Sequence, residues 1–163
     1  MSLTPQERED LIQRYAAGPA RLRAAFLRVP EAARTWRPAP GKWSAHQVVV
    51  HCADSETTSA ARIRWVLAEK NATIQGYDQD VWAEVLEYEA HPADAALAAV
   101  DAVRANTVPL LRRMTAAQWA RTGTHTEIGP YSAEGWLQIY ADHLETHSRQ
   151  IERNIAAWQE RAR

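Results

Sequence analysis

Helical periodicity runs through nearly all of this chain and leaves little room for any other architecture. Apolar residues return every three or four positions, and no alternating apolar–polar run reads as a strand. The punctuation is equally plain. Thr4-Pro5-Gln6-Glu7 reads as a capping box with proline at the first helical position. The helix it starts should run to about Arg28, with an irregularity at Gly18-Pro19. Pro30, Pro38, Pro40 and Gly41 mark a connection. Ser44, with Gln47 in the reciprocal position, caps a second helix to about Glu69. Lys70 to His91 is a long connection with one short helix, Gln79 to Glu87. Pro92 opens a third helix bearing Leu97, Val100, Val103, Leu110 and Leu111, and Pro109 should kink it or mark an irregularity near its end. Thr115 caps a short helix holding Trp119, and Gly123 to Tyr131 reads as a loop. Ser132 caps a last helix to about Glu160. The expectation is an all-α four-helix bundle in one domain over residues 1–163. The long second connection can travel back along the bundle, which makes the second and third helices parallel and the order up-down-down-up.

The bulk properties narrow the partners. The chain has 163 residues, 46% of them hydrophobic, and a formal net charge of −1. Its charges are interspersed, which gives no electrostatic reason to expect nucleic acid or a membrane surface. The first residues, MSLTPQERED, hold no apolar core of a signal peptide. No apolar run approaches the ~20 residues of a membrane span. A single cysteine, Cys52, cannot form an internal disulfide and reads as a buried small residue. A cytoplasmic protein is the simplest expectation. Seven tryptophans stand against one phenylalanine. Such rings belong mostly to the core, and some line pockets.

Chemistry enters through three histidines. His143 and His147 lie four apart in YADHLETHSRQIERN, so both project from one helix face, one turn apart. Trp136, Tyr140, His143, His147 and Ile151 share that face, with Gln150 on its flank. On the second helix Gln47, His51, Asp54, Ser55, Thr58 and Arg62 form a polar-leaning stripe. If both stripes face inward, the bundle centre holds an ion and a wet pocket; if not, they are buried histidines and a solvated face. Three neutral imidazoles suit zinc, nickel or ferrous iron and leave a position open. Other metal motifs are absent. The residue after His143 is Leu144, where the zinc-protease motif needs glutamate. The residues three before His51, His143 and His147 are Val48, Tyr140 and Leu144, so the di-iron Glu-x-x-His pair is missing. Asp54, one turn from His51, is the better-placed acceptor for an imidazole N–H; Glu56 reads as surface charge. Tyr140 and Asp54 are candidates for proton transfer. His46 should lie outside the triad, His91 at the cap before Pro92, and His125 in a solvated loop. Tyr77, Trp82 and Tyr88 either cover the site or cap the bundle end.

Three blocks also carry a resemblance. Pro40-Gly41-Lys42-Trp43-Ser44 followed by His51-Cys52-Ala53-Asp54-Ser55-Glu56 resembles the DinB/YfiT-like proteins. So does Tyr77-Asp78-Gln79-Asp80-Val81-Trp82-Ala83-Glu84. The closing Tyr140-Ala141-Asp142-His143, His147 and Gln150-Ile151 is similar to that family's H-x3-H-x2-QI helix. The blocks occur in order over nearly the whole chain. Thr146 departs from relatives, which often carry a basic residue or histidine there. The resemblance implies a divalent metal, zinc or nickel, on His51, His143 and His147. It implies a metal-dependent hydrolase or a low-molecular-weight-thiol transferase acting on a small molecule, as a homodimer. The alternative is a non-catalytic metal-binding stress-response protein in which the ion is a structural clamp.

Overall fold

The computed structural model describes residues 2–161. Helix α1 spans Pro5–Leu27, and its capping box is formed: the Glu7 amide donates to Thr4 Oγ1, and the Thr4 amide donates to Glu7 Oε2. Helix α2 spans Ala45–Ala68 behind the same device at Ser44 and Gln47. A two-residue strand β1, Thr73–Ile74, and a short helix α3, Gln79–Val85, lead to helix α4, Ala93–Arg112. Helix α5 is Ala116–Trp119, strands β2 and β3 are Thr122–His125 and Gly129–Ser132, and helix α6 is Ala133–Glu160.

Side-chain pairs fix the helix directions. Arg8–Glu134, Arg21–Glu145 and Arg28–Glu152 climb α1 and α6 together, so these helices are parallel. Glu56–Arg104 and Arg64–Thr107 likewise run forward on α2 and α4. Arg23–Asp101 and Glu9–Arg112 oppose α1 to α4, and Ser59–Trp136 with Ser55–His143 oppose α2 to α6. The bundle is therefore up-down-down-up. The ion pairs Arg21–Glu145, Arg23–Asp101, Arg28–Glu152 and Glu9–Arg112 are largely solvent-exposed and worth about 0–1 kcal/mol each, so they mark the register more than they stabilise it.

The apolar interior is in two parts. One cluster holds Leu22, Phe26, Val48, Val49, Leu144 and Ile151. The other holds Tyr15, Ile63, Leu111, Trp136, Leu137 and Tyr140. Between them lies a polar layer of Ser55, Glu56, Ser59, Arg104 and Thr107, all buried.

The helices and loops depart from the sequence expectations in two places. Gly18 and Pro19 do not interrupt α1. Proline removes the N–H that would bond the carbonyl four residues back. That carbonyl, of Tyr15, instead accepts Arg104 Nη1 at 2.5 Å. Gly18 makes room for it, since a Cβ there would lie 2.5 Å from the same nitrogen. Pro109 lies inside α4, near its end at Arg112. Finally, Gly123 to Tyr131 is not a loop. β2 and β3 pair antiparallel, and β2 pairs parallel with β1, in the order β1-β2-β3. This small sheet closes over one side of the bundle. The described residues hold no helix long and apolar enough to cross a membrane.

Candidate metal centre

His51 is on α2, and His143 and His147 are on α6. One ligand nitrogen from each lies within 4.8 Å of the others. The two stripes do face each other, as antiparallel packing of α2 on α6 requires. Trp43, delivered by the turn at Gly41 (φ +70°), sets its ring 4.7 Å from the His51 ring. Asn154 holds that segment through the Trp43 carbonyl at 3.0 Å.

The outer nitrogens of the α6 imidazoles are occupied. His143 Nδ1–H donates to Glu56 Oε1 at 2.9 Å, and His147 Nδ1–H donates to Gln150 Oε1 at 2.9 Å. These acceptors select the tautomer that leaves each Nε2 lone pair free. The Ser55 hydroxyl reaches His143 Nε2 at 3.3 Å. His51 Nδ1 is buried with no hydrogen-bond partner among the described residues. Burial and the two neighbouring histidines push the His51 imidazole down to about 2, and burial with His143 pushes His147 down to about 4. All three rings converge, and His51 and His147 are held neutral. A divalent cation takes that donor set, and an orphaned buried nitrogen fits it.

Glu56 is not a surface charge. It is 0% exposed and sits between His143 and Arg104. Arg104 donates Nε to Glu56 Oε2 at 2.9 Å and Nη2 to Oε1 at 2.6 Å. Burial alone would raise the Glu56 carboxyl, but the His143 hydrogen bond and the Arg104 charge outweigh it and hold it low. Glu56 is thus the acceptor that Asp54 was expected to be. Asp54 instead accepts the Tyr88 hydroxyl at 2.7 Å, so Tyr88 is tied to the middle of α2 and does not line the cleft over the rings. Tyr140 lies beside the site, its ring 5.3 Å from that of His143, and burial raises its phenol.

The three imidazoles open onto a cleft of about 280 Å³. Ser55, Arg62 and Tyr77 line it, and Trp82 stacks on Tyr77 at 4.1 Å. His125 lines it too, only 7% exposed, because β2 carries it inward. It accepts the Glu127 amide on Nδ1 at 3.2 Å, which leaves the proton on Nε2. The solvated-loop expectation for His125 fails with the loop itself. His46 is outside the site, its Nε2 against the His91 carbonyl at 2.8 Å. Cys52 is fully buried, and burial raises its thiol.

A parallel-ended bundle with a three-histidine cluster at an open cleft defines a class, and the comparisons agree with it. The sequence model of the DinB superfamily matches residues 14–151, and the chain belongs to that superfamily. A protein of Oceanobacillus iheyensis and one of Bacillus mycoides, each named as a candidate metal-dependent hydrolase, are 32% identical over 111 residues. The match spans 68% of this chain and 64% of each relative. YfiT of Bacillus subtilis, described as a probable metal-dependent hydrolase with an unusual four-helix bundle topology, superposes with a TM-score of 0.88. It is 26% identical, and the superposition covers 94% of this chain and 88% of YfiT. The mycothiol-dependent maleylpyruvate isomerase shares the fold at 12% identity, with a TM-score of 0.71 over 88% of this chain and 60% of the isomerase.

Proposed function

We propose that this chain is a metal-dependent enzyme acting on a small molecule, with one divalent ion, zinc or nickel, held by His51, His143 and His147. Its reaction is hydrolysis or the transfer of a low-molecular-weight thiol. One observation carries the reading: the three imidazoles gather at the floor of an open cleft, and no carboxylate or thiol joins their ligand atoms among the described residues. The names of the relatives support it. A bound ion would act there as a Lewis acid, lowering the pKa of a water or holding a thiol as thiolate. The chain's own residues do the rest. Glu56 and Gln150 orient two of the ligands. Ser55 and Tyr140 border the reacting space, and either hydroxyl can hold or pass a proton there. The aromatic pair Tyr77 and Trp82 excludes water from one side. Asp54, engaged by Tyr88, takes no proton-transfer role in this reading. We place the enzyme in the cytoplasm as a homodimer.

The rival reading, an ion that only clamps the fold, predicts a closed set of ligands, whereas the cleft leaves one side open. The test is metal content and turnover of untagged protein. Expected is about one ion per chain and ester hydrolysis or thiol transfer that disappears on chelation and returns with the ion. Equal turnover by metal-free and loaded protein, or a fourth protein ligand in a metal-bound structure, overturns the proposal.

A further inference from the structure

Among the described residues two arginines are buried, and they are treated very differently. Arg104 is matched by Glu56 and by two backbone carbonyls. Arg62 is 7% exposed and has no ion pair among the described residues. Its Nη2 donates to the Gln75 carbonyl, and its Nε is buried without a hydrogen-bond partner. A guanidinium cannot shed its charge, and an uncompensated one is costly inside a protein.

The surroundings offer hydroxyls but no counter-charge. The guanidinium lies 5.5 Å from the Tyr77 ring centroid, within hydrogen-bonding reach of the Tyr131 and Tyr140 hydroxyls, and its charge lowers His125. Burial raises all three phenols, so each is neutral at physiological pH. The carboxylates nearby are spoken for or turned away. Asp54 serves Tyr88, and Glu56 serves Arg104 and His143. Glu127 lines the cleft but makes no ion pair with Arg62. Arg62 shares the cleft with all three imidazoles, two helical turns beyond Ser55, or about 10 Å along the axis.

We propose that Arg62 is the anion anchor of the cleft and that the substrate carries a carboxylate which docks on it while its reactive end lies at the three histidines. This rests on the metal-dependent reading above and names the substrate class for it. A planar guanidinium whose Nε has no partner takes a carboxylate in a forked pair, and the tyrosines around it supply stacking and hydroxyl contacts.

The test uses cobalt-loaded full-length protein and reads the thiolate-to-cobalt absorption band. Mercaptohexanoate should bind about tenfold or more tighter than mercaptohexanol, which matches it except for the charge. Arg62→Gln should bring that ratio to about one while cobalt content stays at wild-type level, and Arg62→Lys should restore part of it. The carboxylate belongs either to a thiol or to a hydrolysed ester, so the same ratio is measured for turnover of mono-para-nitrophenyl adipate against para-nitrophenyl hexanoate. A preference in the thiol pair assigns the carboxylate to a thiol, and one in the ester pair assigns it to the ester. No preference in either pair, or an unchanged ratio in Arg62→Gln, overturns the proposal. If the protein takes up no cobalt, the metal reading falls separately, and calorimetry of metal-free protein with adipate decides the anchor. Heat that vanishes in Arg62→Gln supports it; no binding to wild type overturns it.

Discussion

Behind His143 stands a carboxylate with no exposed surface, and its charge reaches the ligand nitrogen through the ring. Glu56→Gln keeps the shape and removes that charge, so affinity for zinc should fall by about 10–100-fold in a chelator competition. It also strips Arg104 of its counter-charge, and urea unfolding should show a loss of about 3–5 kcal/mol. Each of His51→Ala, His143→Ala and His147→Ala should lose the ion and keep its helical circular dichroism; stoichiometric metal in any one of them removes that residue from the set. The neutral imidazoles also set a pH dependence in metal-free protein. His51 and His147 have folded values of about 2 and about 4, below the ordinary 6.5. The unfolded chain therefore binds more protons, and stability present above about pH 6.5 is lost as pH falls, through about 4 for His147 and about 2 for His51. Denaturant titrations from neutral to about pH 4 should show the decline, and the double variant His51→Gln, His147→Gln should flatten it. The three histidines were legible because i, i+4 spacing is a local signal. Glu56 was not, because its partner Arg104 lies 48 residues away. The available clue was on α4, where Arg104 falls on the buried stripe of Leu97, Val100 and Leu111.

At the scale of elements, caps and prolines placed every long helix to within a residue or two. The hairpin was missed for a physical reason: four-residue strands show too little alternation to register, and their pairing is supplied by β1, some fifty residues earlier. His125 went with it. Gly123 is the residue that permits this contact, since a Cβ there would lie 2.7 Å from the Ala72 carbonyl oxygen. Gly18 was read as a fault in α1 and is a socket. Gly18→Ala pushes against both Arg104 and Leu144, and urea unfolding should show a loss of about 1–3 kcal/mol, against the usual gain for alanine in a helix. An unchanged or higher midpoint would show that Arg104 can move aside freely.

For the whole molecule, connection length was enough to give the order of the helices, but nothing in the sequence told how the interior is layered. The assembly with a second copy is a proposal, and light scattering should find about twice the 18.3 kDa of one chain at micromolar concentration. Val81, Val85 and Leu86 are exposed on and just after α3. The polar layer has a further consequence. One guanidinium on α4 reaches a carboxylate on α2 and carbonyls on α1 and α6. No helix can leave without taking a partner from that buried guanidinium, so partial opening gains little over complete opening. Native-state hydrogen exchange should accordingly find the slowest amides of all four helices sharing a single opening free energy, and Arg104→Leu should split them into separate groups.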